Sequence, residues 1–114
     1  METKAAVAAL AALAHHSRLS VFRQLVEAGP DGLPAGQISE RLGLAPSSLS
    51  FHLKELSRAG LVSSRQQGRF VIYSANFAAM NALLGFLTEN CCGGAPCAPA
   101  VPGCAADATE PASN

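Results

Sequence analysis

Apolar residues in this chain recur at helical spacing in five stretches and at the density of short strands in two. From Lys4 to His15 the chain is rich in alanine, with Val7, Leu10 and Leu13 three apart, which predicts a first helix that another backbone can approach closely. Ser17 is placed to cap a second helix with Leu19, Phe22, Leu25 and Val26 as its stripe and Gly29 as its end. Pro30, Asp31 and Gly32 predict a turn, and Pro34 suits the first turn of a third helix with Ala35, Ile38 and Leu42 on one face, stopped by Gly43. Pro46 then opens a fourth helix with Leu49, Leu53 and Leu56 inward and Gly60 at its close. Leu61 to Ser64 and Phe70 to Ser74 read as two strands joined by the polar loop Arg65 to Arg69. Asn76 can cap a fifth helix, in which Phe77, Met80, Leu84 and Leu87 form a stripe widened by Leu83 and Phe86.

The fold class expected from this order is mostly α with a small β-hairpin wing, a winged helix-turn-helix. Both terminal helices are more apolar than one short chain can cover, so they predict a homodimer built through the N- and C-terminal helices. The 114 residues suffice for one domain. Residues 1–90 are expected to form it, with DNA-binding and dimerisation parts together, and residues 91–114 to be a flexible cysteine-containing tail rich in Gly, Ala and Pro.

Composition changes little, but charge placement matters. The chain is neutral overall, yet residues 45–70 carry Lys54, Arg58, Arg65 and Arg69 against a single acid, Glu55, while Asp107 and Glu110 face no base from Cys91 onward. The alanine-rich start resembles a short signal-peptide core, but Glu2 offsets Lys4 and the leucines keep helical spacing, so a helix is the better reading. No stretch approaches the roughly 20 apolar residues of a membrane span. A cytoplasmic protein with reduced thiols follows as the expectation, its four cysteines being metal ligands or reactive groups before a disulfide framework.

With its leucines inward, the fourth helix presents Ser47, Ser48, Ser50, Phe51, Lys54 and Arg58, with Glu55 beside them, to a major groove. The hydroxyls can reach bases or phosphates, Phe51 can touch a thymine methyl, Lys54 and Arg58 can hold phosphates, and Arg69 in the wing can grip the backbone or enter a minor groove. His52, beside the buried stripe, reads as a packed and hydrogen-bonded histidine. His15 and His16 read as decoration at the end of the first helix.

The run "SLSFHLKELSRAGLVSSRQQGRFVIYSAN", Ser48 to Asn76, resembles the arsenic-responsive repressor (ArsR) family of winged-helix proteins, as does "HHSRLSVFRQLVEAG" before it. The resemblance spans roughly residues 9–88. It rests on the spacing of Ser50, His52, Leu53 and Leu56, then Ala59-Gly60-Leu61-Val62, then Gly68-Arg69 and Tyr73. It implies a homodimer that binds operator DNA at an inverted repeat and represses an operon until an inducer binds. The founding arsenic repressors hold the inducer with cysteines in the first helix of the helix-turn-helix, and "PAGQISERLG" has none. A subset carries a Cys-Cys pair after the last helix and a third Cys a few residues on, and "TENCCGGAPC" resembles it. The resemblance therefore implies Cys91, Cys92 and Cys97 as ligands of As(III) or Sb(III), with no organic cofactor.

Soft trivalent centres prefer thiolates to imidazole or carboxylate, which agrees. Cys104 makes a four-thiolate zinc set conceivable, but its spacing lacks the paired Cys-x2-Cys of structural zinc sites. A methylated arsenical would need only Cys91 and Cys92. A thiol redox switch, another soft metal, or an inert tail remain open, and Cys104 reads as a bystander. An enzyme such as an arsenate reductase is not expected, because there is no Cys-x-x-Cys at a helix start and no anion-cradling loop around a cysteine. A metal chaperone would have no use for the helix-turn-helix.

Overall fold

The computed structural model describes residues 1–94. Five helices and a small sheet follow in the order α1 (Thr3–Leu13), α2 (His16–Ala28), β1 (Leu33–Pro34), α3 (Ala35–Leu42), α4 (Pro46–Arg58), β2 (Val62–Gln67), β3 (Phe70–Ala75) and α5 (Phe77–Leu87), with one 3-10 turn at Cys91–Gly94. The expected winged helix-turn-helix is present. Leu25, Ile38, Leu49, Leu53, Leu56 and Leu61 are its most deeply buried large side chains, drawn from α2, α3, α4 and the entry to the wing.

The helices obey the predicted periodicity, and the terminal ones leave apolar residues outside. In α1 the alanines Ala6, Ala9 and Ala12 are buried, while Val7 is 58% and Leu10 43% exposed. Short side chains let α1 lie close on its neighbours, which leaves its larger apolar groups outside. In α5 only Leu83 is fully buried; Met80 and Leu84 are half-covered and Leu87 is 56% exposed. In α2, Val21 takes a core place and Leu19 stands exposed.

The ends show where local chemistry decides. Helix α2 begins two residues earlier than Ser17 would set it: His15 is the cap, its Nδ1 accepting the Ser17 amide at 3.1 Å. Arg18 Nε donates to the Ala12 carbonyl at 2.6 Å and braces the corner at which α1 and α2 meet at 102°. In the turn between α3 and α4, Gly43 is left-handed, the Leu44 amide donates to Ser39 O at 3.1 Å, and the Ser39 hydroxyl donates to Leu44 O. Asn76 caps α5 as expected, its side-chain oxygen accepting from the Ala79 amide at 3.1 Å. The same residue donates from Nδ2 to Gly60 O at 3.0 Å and from its amide to Leu61 O at 2.8 Å. One side chain thus fastens the start of α5 to the chain leaving α4.

The wing is longer and tighter than the sequence suggests. Residues 65–69 were expected to be loop, yet β2 and β3 pair antiparallel from Val62 opposite Ala75 to Gln67 opposite Phe70, leaving only Gly68 and Arg69 at the turn. Polar residues can extend an exposed hairpin because the ladder bonds are made by backbone, not side chains. A third strand that hydropathy did not mark, β1, pairs with β3 at Leu33 opposite Tyr73 and Pro34 opposite Ile72. Its close approach depends on Gly32, at φ +73°, where a Cβ would stand 2.3 Å from the Tyr73 carbonyl oxygen. Gly32→Ala is expected to cost at least about 1–3 kcal/mol from the left-handed backbone alone, with the clash against rigid backbone added. Urea unfolding measures it, and a midpoint equal to wild type would contradict this geometry.

Candidate nucleic-acid interface and thiol pair

Helix α4 divides cleanly. Leu49, His52, Leu53 and Leu56 are buried, and Ser47, Ser48, Ser50, Phe51, Lys54 and Arg58 are exposed. Because 3.6 residues make a turn, Ser47, Ser50, Phe51, Lys54 and Arg58 fall on one outward stripe, with Ser48 at its flank. Phe51 is 56% exposed, an apolar ring held in water on a face that is otherwise hydroxyl and cation. Pro46 starts the helix at its first position, where its missing N–H costs nothing.

The cations are not equivalent. Arg58 Nη1 lies 3.4 Å from Glu55 Oε2, so part of its charge is answered within α4. With Arg18, Glu55 and the alanines Ala8, Ala11 and Ala12 it lines a cleft of about 330 Å³ between α1, α2 and α4. Lys54 projects from the outward stripe. Arg69 sits exposed at the wing turn beside Phe70, which is itself largely exposed. Arg65, counted among the bases of the module, is a strut: its Nη2 donates to Asp31 O at 2.9 Å and to Gln67 Oε1 at 3.3 Å, tying the wing to the turn before β1. Its partner is 34 positions away, so no local pattern could mark that role.

His52 is buried as expected but not hydrogen-bonded: its Nδ1 is fully covered and has no partner. Its ring stacks at a tilt on His15, centroids 4.8 Å apart, and meets Phe51 edge-on at 5.8 Å. Burial first, then the charges of His15 and Arg18, hold its pKa below the ordinary 6.5. The sequence signal for this pair was only a doubled histidine before α2.

The thiols lie past α5. Thr88 to Asn90 end the helix, and Asn90 and Cys92 take left-handed φ values of 57° and 56°, followed by Gly93 and Gly94, also at positive φ. This tight reversal brings the Cys91 and Cys92 Sγ atoms to 3.7 Å. Two bonds of about 2.3 Å to one soft centre, opened to between about 95 and 110°, span about 3.4–3.8 Å, so the pair fits a single bridging atom. Cys92 is exposed with a free thiol, whereas Cys91 is disulfide-bonded, so the pair can hold an ion only after reduction. Cys97 and Cys104 lie outside the described residues. Among the described residues no three His, Cys, Asp or Glu side chains gather around one point, and no single helix is long and apolar enough to cross a membrane.

Among the described residues, Val7 and Leu10 of α1 and Leu87 of α5 stand exposed. A cavity of about 350 Å³ opens between α2 and α5, lined by Leu13, Leu19, Val26, Met80 and Leu84 among others.

Comparison with known proteins agrees with this architecture. Residues 13–65 match the family model described as "Helix-turn-helix domain". The transcriptional activator HlyU of Vibrio cholerae is 34% identical over 87 residues, covering 76% of this chain and 78% of the relative. Among solved structures, an ArsR-like transcriptional regulator from Rhodococcus sp. RHA1 superposes with a TM-score of 0.68 at 27% identity, over 75% of this chain and 78% of that one. A structure titled "possible transcriptional regulator for arsenical resistance" does so at 0.60 and 26%, over 71% and 80%.

Proposed function

Since the chain belongs to the ArsR/SmtB family of winged-helix DNA-binding transcriptional regulators, which are not enzymes, we propose that it is a cytoplasmic homodimeric repressor released from operator DNA when As(III) or Sb(III) crosslinks its C-terminal thiolates. The observation that carries this reading is the Cys91–Cys92 pair, two sulfurs 3.7 Å apart on a left-handed turn directly after α5. Cys97 supplies the third thiolate that a pyramidal trivalent centre takes.

The dimer is supported by the outward apolar residues of α1 and α5, Val7, Leu10 and Leu87, and by the apolar cavity between α2 and α5. A second copy burying its terminal helices there would cover what one chain leaves in water. Coupling has a physical route. Binding that stiffens the end of α5 acts on a helix whose first turn is fastened by Asn76 to the carbonyl of Gly60 behind α4. Two recognition helices in a changed relative setting would no longer fit successive half-sites.

On DNA, α4 enters the major groove with Ser47, Ser48, Ser50 and Phe51 toward the bases, Lys54 and Arg58 on phosphates, and Arg69 at the wing. Lys54→Ala is expected to weaken binding to all sequences alike and to lower the slope of log affinity against log salt by about one per subunit. Fluorescence anisotropy over a salt series measures this, and an unchanged slope removes Lys54 from the interface. The reading as a whole is tested by adding arsenite to the reduced protein on labelled promoter DNA: release supports it, and retention at saturating arsenite sinks it. The bonded state of Cys91 favours one second reading, a regulator that answers thiol oxidation, for which peroxide or disulfide in place of arsenite would be the releasing agent.

A further inference from the structure

The recognition helix rests on α2 through an imidazole pair that the proposed arsenic response does not use. We propose that the His15–His52 ring stack seats α4 for DNA binding only while His52 is neutral, making His52 a proton-sensitive positioning residue. The inference rests on the reading of α4 as the DNA-contacting helix.

The geometry carries it. His52 is only 9% exposed, on the buried side of α4 and next in sequence to Phe51 on the outward stripe. Its Nδ1 has neither a protein partner nor access to water. That is tolerable for a neutral ring, whose bare nitrogen loses one hydrogen bond. For an imidazolium, both nitrogens of which must donate, it leaves a buried charge with an unmade bond. The charges that act on the site are all of the wrong sign for a cation. His15, at the corner before α2, is in ring contact, and Arg18 stands one turn into α2. His15 also caps α2, so the positive end of that helix lies on the same side. From α1 the neighbouring cleft receives only Ala8, Ala11 and Ala12, which offer no compensating acid. Glu55, one turn along α4, is paired with Arg58.

A proton on His52 therefore acts between α4 and the α1–α2 corner. It adds repulsion against Arg18 and His15, and the simplest relief is for the ring to swing toward solvent. That movement takes the adjacent Phe51 and the first turns of α4 out of register with the groove. Such a proton is excluded from the DNA-bound form, so by reciprocity DNA binding lowers the pH at which His52 titrates.

Affinity for a duplex taken from upstream of the chain's own gene, measured from pH 7.5 to 5.0 at constant ionic strength, tests this with the wild type, His52→Phe and His15→Ala. The wild type is expected to lose affinity below pH 6.5, by about tenfold per pH unit for each proton excluded. His52→Phe keeps an aromatic ring but takes no proton, and its affinity is expected to stay flat. His15→Ala removes both the ring that His52 stacks on and one repelling neighbour, so it should weaken binding already at pH 7.5 and move the further fall to higher pH. A wild-type fall that persists unchanged in His52→Phe overturns the proposal. Should that variant not fold, NMR titration of the His52 ring in free and DNA-bound wild type decides: a lower titration point on DNA supports the proposal, and an equal or higher one, as DNA phosphates alone would produce, overturns it. If no DNA is bound at any pH, the interface reading fails on its own. The amides of α4 and of α2 shifting together as free His52 titrates would then retain the ring stack as their coupling, and independent behaviour would dispose of it.

Discussion

Replacing Cys91 and Cys92 together by serine is expected to abolish arsenite-driven release of the reduced protein from promoter DNA while leaving apo affinity within about twofold of wild type. Both residues follow α5 and belong to neither α4 nor the wing, so no side chain placed on DNA in the proposed complex is altered. The inducer's effect should be large, because a ligand shifts DNA affinity only through its unequal affinity for the two states, and such couplings commonly amount to about 5–150-fold. Serine is nearly isosteric but its hydroxyl is a hard, protonated donor near neutral pH, so a soft trivalent ion loses two of three bonds and with them the grip that stiffens the end of α5. Anisotropy titrations of wild type and double variant, both fully reduced, measure this. Release of both proteins by arsenite would move the sensing thiols elsewhere. Release of the wild type by an oxidant but not by arsenite would favour the redox reading instead. Cys97→Ser alone separates a three-thiolate site from a methylated arsenical held by the adjacent pair.

Leu56→Ala is expected to be the most damaging of the simple core substitutions near the interface. Leu56 has no exposed surface and packs in the cluster formed with Leu25, Leu53 and Leu61. Its own carbonyl accepts the Leu61 amide at 3.0 Å, so the loosened site lies where α4 turns into the wing. Truncating a buried leucine costs about 2–5 kcal/mol through lost transfer energy and the cavity left behind. A domain of this size has only about 5–15 kcal/mol in hand. Urea unfolding should show a large drop in midpoint with DNA affinity falling in parallel, whereas Ser57→Ala, next in sequence and exposed, should change stability by less than about 0.5 kcal/mol. Equal effects from the two would mean that α4 does not present its leucines inward.

The apolar spacing of α4, the proline at its start and the glycine after it specified both the helix and its two faces, because one helix reads only its own 3.6-residue period. The Asn76 cap was legible for the same reason: the group it satisfies lies three residues away. Where a face has to choose between neighbours, the sequence was ambiguous. In α1 the spacing of Val7, Leu10 and Leu13 marked a helix but not the face it turns to the rest of the chain; the structure buries Ala6, Ala9 and Ala12 there, since close helix approach depends on what lies opposite. The cap of α2 was misassigned because Ser17 has the stronger intrinsic preference, yet His15 is oriented by its ring contact with His52, 37 positions later.

By itself, then, the sequence determined the helix-turn-helix, the presence of a wing, the outward residues of α4 and the nearness of Cys91 to Cys92, all of them set by local periodicity and covalent adjacency. Only the tertiary structure decided that Arg65 braces the wing and β1 adds a third strand. It alone decided, too, that His52 sits against His15 without a hydrogen bond. These depend on which distant backbone or side chain meets a given group. Such choices arise from the packing of elements against one another, and no window of the chain contains them.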